Sequence, residues 1–481
     1  MTMTWAELSV LLPEMIVATM ASVILILDLY IREQRRGLVH FLSLLTLLFA
    51  AIATLRLHEE QATIQAVYAL EGTFVRDQMG DLLKLFIYLV MAAVFFYAKP
   101  YLRARSLFKA EFYVLALFGM LGMMVMISAG NLLSLYLGLE LLALSTYALV
   151  ALDRDNPVAA ESAMKYFVLG ALASGMLLYG ISMIYGLTGS LDLAEIGQAI
   201  VGMSGDNLVL AFGLTFIVVG LAFKFGAVPF HMWIPDVYEG SPTAVTVFIA
   251  GAPKLAAFAM AIRLLEDGLG GLHGHWQQMI VFLTILSLAI GNIVAIAQTN
   301  LKRMLAYSTI SHVGFLMLGL LPGTSEGYEA AMFYAIVYAL MTVGAFGMIV
   351  LLSRAGFEAD KLEDFKGLNQ RDPWYAFLML MFMASLAGFP PFIGFFAKVQ
   401  VLKATLQADM VWLAAVAVIF AIIGAFYYLR VIKLMYMDEP EVDTPIEAPL
   451  DLRAAVSANG LAQLGLGLFP GPLIAICAAA F

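Results

Sequence analysis

Runs of about twenty apolar residues, separated by charged residues, glycine and proline, recur along the whole chain. A helix needs about 20 such residues to cross the hydrocarbon core of a membrane. The pattern predicts an all-α polytopic membrane protein in which the boundary between the fourth and fifth spans is the least marked. The fourteen predicted spans are 10–31, 38–57, 81–98, 112–130, 131–150, 160–186, 209–230, 241–265, 277–297, 303–322, 328–353, 374–402, 410–436 and 452–479.

Lysine and arginine are unevenly distributed between the predicted loops, and cytoplasmic loops of membrane proteins are enriched in both. With the N-terminus outside, inner loops and helix ends hold 17 of the 26 lysines and arginines, and outer ones hold four. This distribution predicts an even number of helices with both termini outside. The remaining five lie within predicted spans, and they are Lys84, Lys165, Lys224, Lys254 and Lys398.

Two predicted spans contain both a lysine and a helix-breaking proline. In GLAFKFGAVPFHMW, residues 220–233, Lys224 precedes Pro229, and in LAGFPPFIGFFAKVQ, residues 386–400, Lys398 follows Pro390 and Pro391. Proline removes a backbone donor and breaks the helix, which a membrane tolerates only where protein or a water-filled cavity covers the break. Paired discontinuous helices that cross in opposite senses indicate an ion or substrate site in transporters. Ordinary proline kinks are the structural alternative.

Further ionisable residues lie inside predicted spans, where insertion costs roughly 2.5–3.5 kcal/mol for a charged side chain at the centre. Glu140 lies near the middle of the fifth span and is interpreted as the only carboxylate deep in a span. Lys165 lies in the sixth span, Lys254 in the eighth and His312 in the tenth. Since a lysine with an approaching or withdrawing carboxylate can exchange its proton, Glu140 and Lys224 are the leading candidates for a switchable pair.

Structural interpretations stand beside the functional ones. Glu140 and Lys224 could form a static ion pair that fixes helix packing, and Lys165 could extend its side chain to the membrane surface. His312 could simply donate to a neighbouring carbonyl group.

Three other groups are interpreted as structural. Lys84 comes three residues after Asp81 near the predicted outer surface, which favours an interfacial pair between them. Lys302 and Arg303 are interpreted as markers of the cytoplasmic side. Ser174 belongs to a set of small residues whose four-residue spacing is typical of close helix packing.

Composition narrows the class of protein. The chain is 62% hydrophobic and only 13% charged, far from the quarter charged residues of an ordinary soluble domain. Its single cysteine, Cys477, excludes a disulfide framework and cysteine-ligated clusters within this chain, so redox chemistry must occur elsewhere. A net charge of −9 gives no reason to expect nucleic-acid binding.

Six stretches resemble the antiporter-like membrane subunits of respiratory complex I, and the resemblance covers essentially the whole chain. These stretches are LLPEMI at 11–16, GLELLALSTYAL around Glu140, FKFGAVPFHMWIPDVYEGSP around Lys224, GAPKLAAF around Lys254, KRMLAYSTISHVGF around His312 and AGFPPFIGFFAK ending at Lys398. Two features separate the chain from other members of that group. No long lateral helix follows the fourteenth span, whereas the resemblance implies one for the largest subunit. The twelfth span offers lysine, where the middle subunit is expected to have glutamate.

The resemblance implies one membrane domain, 1–481, with two inverted five-helix repeats. Helices 1–3 would occupy 1–111, the first repeat (helices 4–8) 112–265, the second repeat (helices 9–13) 277–436 and helix 14 residues 452–479, with helices 7 and 12 discontinuous. The residues that the resemblance assigns to a proton path are the modulating carboxylate Glu140, the central lysine Lys224, the connecting lysine Lys254, the second-half carrier Lys398, and the auxiliary Lys165 and His312.

The implied activity is that of a non-redox subunit in a proton-translocating NADH:quinone oxidoreductase of the bacterial inner membrane. The resemblance implies no cofactor or metal in this chain, with NADH, FMN, iron–sulfur clusters and quinone bound by partner subunits. The implied partners are the other membrane-arm subunits, neighbouring antiporter-like ones included, and membrane lipids, but no nucleic acid.

Two other readings share part of this pattern. Subunits of Mrp-type cation/proton antiporters and of membrane-bound hydrogenase-type complexes carry the same lysine and proline motifs. A purely structural membrane anchor accounts for the hydrophobicity but not for the paired breaks.

Overall fold

The computed structural model describes residues 5–32, 35–60, 66–201, 203, 207–441 and 446–481, and within them the chain is almost entirely α-helical. The elements of the first part are α1 Trp5–Val10, α2 Leu12–Asp28, α3 Gly37–Glu60, β1 Val67–Ala69, β2 Phe74–Arg76, α4 Gln78–Ala104, α5 Ala110–Ile127, α6 Leu132–Val150, α7 Pro157–Thr188, α8 Leu193–Val201 and α9 Leu208–Phe225. The helices of the middle part are α10 Trp233–Gly240, α11 Thr243–Ala250, α12 Ala252–Ile262, α13 His273–Ile296, α14 Leu301–Leu320 and α15 Ser325–Leu352. Those of the last part are α16 Leu368–Arg371, α17 Pro373–Ala387, α18 Ile393–Gln407, α19 Val411–Met437, α20 Leu450–Leu468 and α21 Gly471–Ala478.

Polar side chains define where several of the long helices begin. Asp77 accepts a hydrogen bond from the backbone N–H of Gly80 at 2.8 Å, and Asn131 accepts one from that of Ser134 at 2.7 Å. Such caps satisfy backbone donors that have no partner within the helix. The least marked predicted boundary is therefore well defined, because Asn131 starts α6 only a few residues after α5 ends.

Both predicted interruptions are present. Helix α9 ends at Phe225, where Gly226 adopts a left-handed conformation, and the chain resumes helical structure only at Trp233. Helix α17 likewise ends at Ala387 beside the left-handed Gly388, and α18 begins at Ile393. Left-handed glycine is the ordinary way to end a helix, because it has no Cβ to clash with the backbone.

The number of membrane-crossing helices is only partly established. Among the described residues, ten helices are long and apolar enough to cross a membrane, and α20 with α21, bent by 82°, could form an eleventh span. Helix α2, with 17 residues, falls short of that length, and α17 and α18 are separate 15-residue helices. Each of the fourteen predicted spans coincides with helix, but their number and the inverted repeats stay predictions.

Helix α15 occupies the centre of the bundle. It packs against α11 and α12 on one side and against α17 and α18 on the other. Nearly all its side chains are buried, whereas α19 exposes large apolar residues such as Ile422. An apolar outer surface of this kind suits a lipid environment.

Loops rich in lysine and arginine meet at one end of the bundle. Lys99 pairs with Asp451 at 2.9 Å, and Arg105 pairs with Glu358. The opposite end carries the antiparallel β1–β2 hairpin, in which Tyr68 is opposite Val75. The structure thus brings the predicted inner loops around Arg105, Glu358 and Asp451 together on one face.

Candidate functional site

The first helix break places two lysines beside each other. Lys224 lies in the last turn of α9, and the Nζ of Lys254, from α12, donates a hydrogen bond of 2.9 Å to the carbonyl oxygen of Phe225. The indole of Trp233 donates to the carbonyl oxygen of Phe223 at 3.0 Å, and Lys254 Nζ lies 5.5 Å from the centre of the Trp233 ring. Two carbonyl groups at the end of α9 therefore accept hydrogen bonds from side chains.

Lys224 and Lys254 line the same small cavity. Its volume is about 20 Å³, enough for about one water molecule, and Thr146 and Tyr166 also face it. Lys254 is only 2% exposed. In the part of the chain that the structure describes, Lys224 makes no hydrogen bond and no ion pair within 4.0 Å, so its amine is available to the cavity.

Glu140 acts on Lys224 through its charge without touching it. The Glu140 carboxylate interacts electrostatically with the Lys224 ammonium, but no direct ion pair joins them within the described residues. The Glu140 carboxylate instead accepts a hydrogen bond from the hydroxyl of Ser174 on α7. The static ion pair considered from the sequence is therefore wrong for this structure. Ser174, which the sequence assigned to packing, contacts the carboxylate directly.

The second break has a similar arrangement. Lys398, in the first turns of α18, is 9% exposed and donates hydrogen bonds to the carbonyl oxygens of Leu386 at 3.1 Å and Ala387 at 2.8 Å. Its Nζ also lies 5.0 Å from the centre of the Phe315 ring. The lysine amine thus lies against the C-terminal end of α17, where helix carbonyl groups carry partial negative charge.

His312 lies within a cluster of tyrosines. Its Nδ1 lies 2.6 Å from the hydroxyl of Tyr334, and its Nε2 lies 3.1 Å from the hydroxyl of Tyr428. The Tyr428 hydroxyl also meets the Ser308 hydroxyl at 2.5 Å. The charge of Lys398 acts on the His312 ring. His312 therefore belongs to a hydroxyl network rather than to a carbonyl contact, and this network was not expected from the sequence.

Lys165 lies apart from this interior. Its side chain is 44% exposed and forms ion pairs with Glu161 at 2.8 Å and Asp236 at 2.9 Å. Asp236 also pairs with Arg303 at 2.8 Å. These contacts connect α7, α10 and α14 near the surface, in agreement with the alternative in which Lys165 extends outward.

The predicted pairing of Lys84 is wrong. Lys84 is buried and pairs with Glu14 of α2 at 2.6 Å, while Asp81 pairs with Arg76 at 2.8 Å. Glu14 lies within the first predicted span and is only 6% exposed, so Glu140 is not the only carboxylate inside a span. The signal was present in the sequence, since LLPEMI places Glu14 in an apolar run.

Lys302 is also buried rather than exposed at the surface. It is 2% exposed, and its Nζ donates a 2.7 Å hydrogen bond to the carbonyl oxygen of Ser241. Its position two residues from Asn300, which caps α14, gave no sign of burial.

Among the described residues, no group of three or more His, Cys, Asp or Glu side chains is placed to hold a metal ion. What the arrangement offers is a series of buried groups that can exchange protons. They lie at or near the two helix breaks, on both sides of α15.

Comparisons with known proteins show which family the chain resembles. Residues 129–424 match the family model described as NADH:quinone oxidoreductase/Mrp antiporter, TM. The chain is 56% identical to NADH-quinone oxidoreductase subunit N of Thioalkalivibrio sulfidiphilus over 470 residues, covering 98% of this chain and 97% of the relative. It superimposes on a chain of respiratory complex I from Thermus thermophilus with bound aureothin with a TM-score of 0.83 and 33% identity, covering 98% of this chain and 100% of the other. A chain of the Mrp complex from a Dietzia species gives a TM-score of 0.85 at 23% identity, covering 98% and 97% of the two chains, and shows the fold alone.

Proposed function

The chain belongs to the NADH:quinone oxidoreductase/Mrp antiporter membrane family, and we propose that it is the N subunit of a bacterial NADH-quinone oxidoreductase. In this role it moves protons from the cytoplasm to the periplasm, driven by redox chemistry in partner subunits. One observation carries the proposal. At each of two helix breaks, a buried lysine amine, Lys254 or Lys398, donates to carbonyl oxygens at the end of a half-helix. Such half-helix ends hold protons or coupling ions in transporters.

The first half of the path uses Glu140, Lys224 and Lys254. A shift of charge along the membrane arm alters the interaction between Glu140 and Lys224, which releases or binds a proton at the Lys224 amine. The cavity shared with Lys254 supports transfer through about one water molecule. Lys254 then passes the proton toward the second half of the chain.

The second half uses His312 and Lys398. The hydroxyl groups of Tyr334 and Tyr428 connect to both ring nitrogens of His312, and such chains of hydrogen bonds conduct protons by exchange. Lys398 is the last buried carrier before release outside. That release works against a membrane potential worth about 2.3 kcal/mol per charge per 100 mV. Lys165 is auxiliary, acting from the surface through Asp236.

No cofactor takes part within this chain. NADH, FMN, iron–sulfur clusters and quinone belong to partner subunits, which include neighbouring antiporter-like subunits of the membrane arm. Cys477 is buried in the last helix and has no chemical role in the mechanism.

The proposed architecture has fourteen spans in the inner membrane, with both termini on the periplasmic side. Helices 4–8 (112–265) and 9–13 (277–436) form two inverted repeats between helices 1–3 (1–111) and helix 14 (452–479). The gathering of positive loops at one end supports this orientation.

The second candidate is a subunit of an Mrp-type cation/proton antiporter or of a hydrogenase-type membrane complex. This candidate rests on the similarity of fold to a chain of an Mrp complex. Neighbouring genes distinguish the two. Genes for redox subunits beside this one favour the oxidoreductase, and their absence favours the antiporter.

Replacing Lys224 by alanine in the intact complex tests the proposal. We expect Lys224→Ala to abolish NADH-driven proton uptake by inside-out membrane vesicles while the complex still assembles. Lys433→Ala is the matched control, because the Lys433 side chain is 59% exposed on α19 and should leave uptake unchanged. An assembled Lys224→Ala complex that pumps normally rejects the proposed role.

A further inference from the structure

Glu358 lies in the loop after α15, on the face where the positive loops meet. Its carboxylate accepts hydrogen bonds from the Tyr101 hydroxyl, 3.1 Å from each oxygen, and from the Arg105 guanidinium and the Thr243 hydroxyl. The side chain is 26% exposed, so water reaches the carboxylate. No role for Glu358 follows from the proton path described above.

Through these contacts, Glu358 is connected to the inner end of the first broken region. Thr243 begins α11, directly after the Ser241–Pro242 link from α10. The Thr243 backbone N–H donates to the Tyr101 hydroxyl at 3.0 Å. Glu358 therefore lies between the water-exposed surface and the start of α11, from which the chain runs into the interior of the bundle.

Lys302 is a buried lysine that contacts the same stretch of backbone. Its Nζ donates to the carbonyl oxygen of Ser241, and within the described residues no carboxylate lies within 4.0 Å of it. Ser241 lies two residues before Thr243, whose hydroxyl donates to Glu358, so this short segment connects Lys302 to Glu358. The charges of Glu358, Asp360 and Glu239 also act on Lys302. A buried ammonium with no direct counter-ion is costly, which favours a lysine that exchanges its proton.

Polar groups continue inward from Ser241. The Thr246 hydroxyl lies 2.9 Å from the Ser241 hydroxyl and donates to the carbonyl oxygen of Tyr238 at 3.1 Å. The Tyr238 hydroxyl is buried and faces Thr309, but it meets hydrogen-bond geometry with no described residue. Buried hydroxyls are normally satisfied by protein or ordered water, so the Tyr238 hydroxyl marks a place for water on this route.

The route reaches the tyrosine cluster around His312, which lies one turn after Thr309 on α14. The Tyr338 hydroxyl donates to Thr309 at 2.7 Å, and the rings of Tyr338 and His312 lie 5.0 Å apart between centres. Glu358 and His312 are thus the two ends of a series of polar groups between the positive face and the bundle centre.

We propose that Glu358 collects protons from the cytoplasm and delivers them to Lys302 at the entrance of this route. The inference rests on the proposed function and adds a point of proton entry to the second half of its path. Glu358 takes a proton from water on a carboxylate oxygen and becomes a neutral acid. It then gives that proton, through the Thr243 hydroxyl or a water molecule, to the neutral amine of Lys302, and the carboxylate is restored. No electron is transferred.

Charged and polar groups from several elements surround Glu358. Tyr101 of α4 and Arg105, directly after α4, contact its carboxylate. Asp360 lies on the same loop, and its charge, like that of Glu358, acts on Lys302 of α14. A test must therefore remove the carboxylate while leaving these neighbours in place, and glutamine does this at nearly the same size.

The experiment compares Glu358→Gln with wild type in inside-out vesicles containing the whole complex, because the medium then sets the pH on the cytoplasmic side. We expect Glu358→Gln to assemble and to pump several-fold more slowly per vesicle, with a deficit that grows as the medium pH rises. Proton supply limits the rate most when protons are scarce. Glu358→Asp should restore most of the activity, and Glu363→Gln, an exposed carboxylate on the same loop, should match wild type.

Two outcomes overturn the inference. One is wild-type pumping by Glu358→Gln at every pH, and the other is a pH-independent deficit that Glu358→Asp does not restore, which indicates a structural clamp. Lys224→Ala is measured in the same vesicles. If Lys224→Ala is inactive while Glu358→Gln is normal, only the entry role fails, whereas normal pumping by Lys224→Ala rejects the proposed function itself.

Discussion

The amine of Lys398 lies 2.8 Å from the carbonyl oxygen of Ala387, at the end of the half-helix α17. Lys254 makes the same kind of contact with Phe225 at the end of α9. By contact, the residue of the first half that corresponds to Lys398 is therefore Lys254, although the sequence pattern paired Lys398 with Lys224. Lys224 is left free to respond to Glu140.

Replacing Lys254 by arginine tests whether Lys254 serves as a structural positive charge or as a proton carrier. Arginine keeps the positive charge but does not deprotonate in proteins. We expect Lys254→Arg to lower NADH-driven proton uptake by about tenfold or more, since a positioned proton-transfer group contributes about 10²–10⁴ in rate. Uptake by inside-out vesicles is the measurement.

Lys254→Met is the control for this prediction, since it keeps an unbranched chain without a charge. If Lys254 carries protons, Lys254→Arg and Lys254→Met should lose proton uptake to the same extent. If Lys254→Arg pumps like wild type and only Lys254→Met fails, Lys254 is a structural cation.

Gly388 provides a test of the second break. It has φ of 86°, and a Cβ there would lie 2.8 Å from Lys398 Cδ and 3.2 Å from its Nζ. Gly388→Ala should therefore displace the Lys398 amine from its carbonyl partners, in addition to a backbone cost of about 1–2 kcal/mol. We expect proton uptake to fall several-fold in assembled complex.

Gly189→Ala, at the end of α7, is the matched control for this change. Gly189 also has a left-handed conformation, with φ of 72°, but an added Cβ would meet no atom within 4 Å. It carries the same backbone cost without touching a lysine. Equal loss of uptake in both variants would show that backbone strain, and not the position of Lys398, is responsible.

The sequence predicted the two breaks because proline and glycine act locally on the backbone. Gly226, Pro229 and Pro390 interrupt their helices whatever other helices pack against them. The choice of lysines inside spans was equally local, since apolar neighbours on both sides place Lys254 and Lys398 in the interior.

Partners of buried groups were not predictable in the same way, because they depend on how distant helices pack. Lys84 was assigned to Asp81, three residues away, but it pairs with Glu14, seventy residues earlier in the chain. Only sequence-near partners are visible before the fold is known. The same limit concealed the contact of Ser174 with Glu140.

Ser174 is expected to control the Glu140 carboxylate. A hydrogen bond to a charged group is worth about 1.5–3 kcal/mol, enough to change how Glu140 acts on Lys224. We expect Ser174→Ala to lower proton uptake several-fold while NADH oxidation by an artificial electron acceptor is unchanged. Ser182→Ala, at an exposed position on the same helix, should leave both rates at the wild-type level. Normal uptake by Ser174→Ala would contradict the role of this contact.

The buried pair of Glu14 and Lys84 connects α2 to α4 and should matter for stability. Both side chains are almost fully buried, so removing one partner leaves a charge without compensation, at a cost of about 3–5 kcal/mol. We expect Glu14→Gln or Lys84→Met alone to lower the thermal midpoint for loss of this subunit from the purified complex. The double variant should be less destabilised than either single variant, because no charge remains in the interior. Lys366→Met, which removes an exposed pair with Glu441, is the control and should leave the thermal midpoint at the wild-type value. If the double variant loses as much as the two single variants together, the two side chains act independently and the pair does not hold α2 against α4.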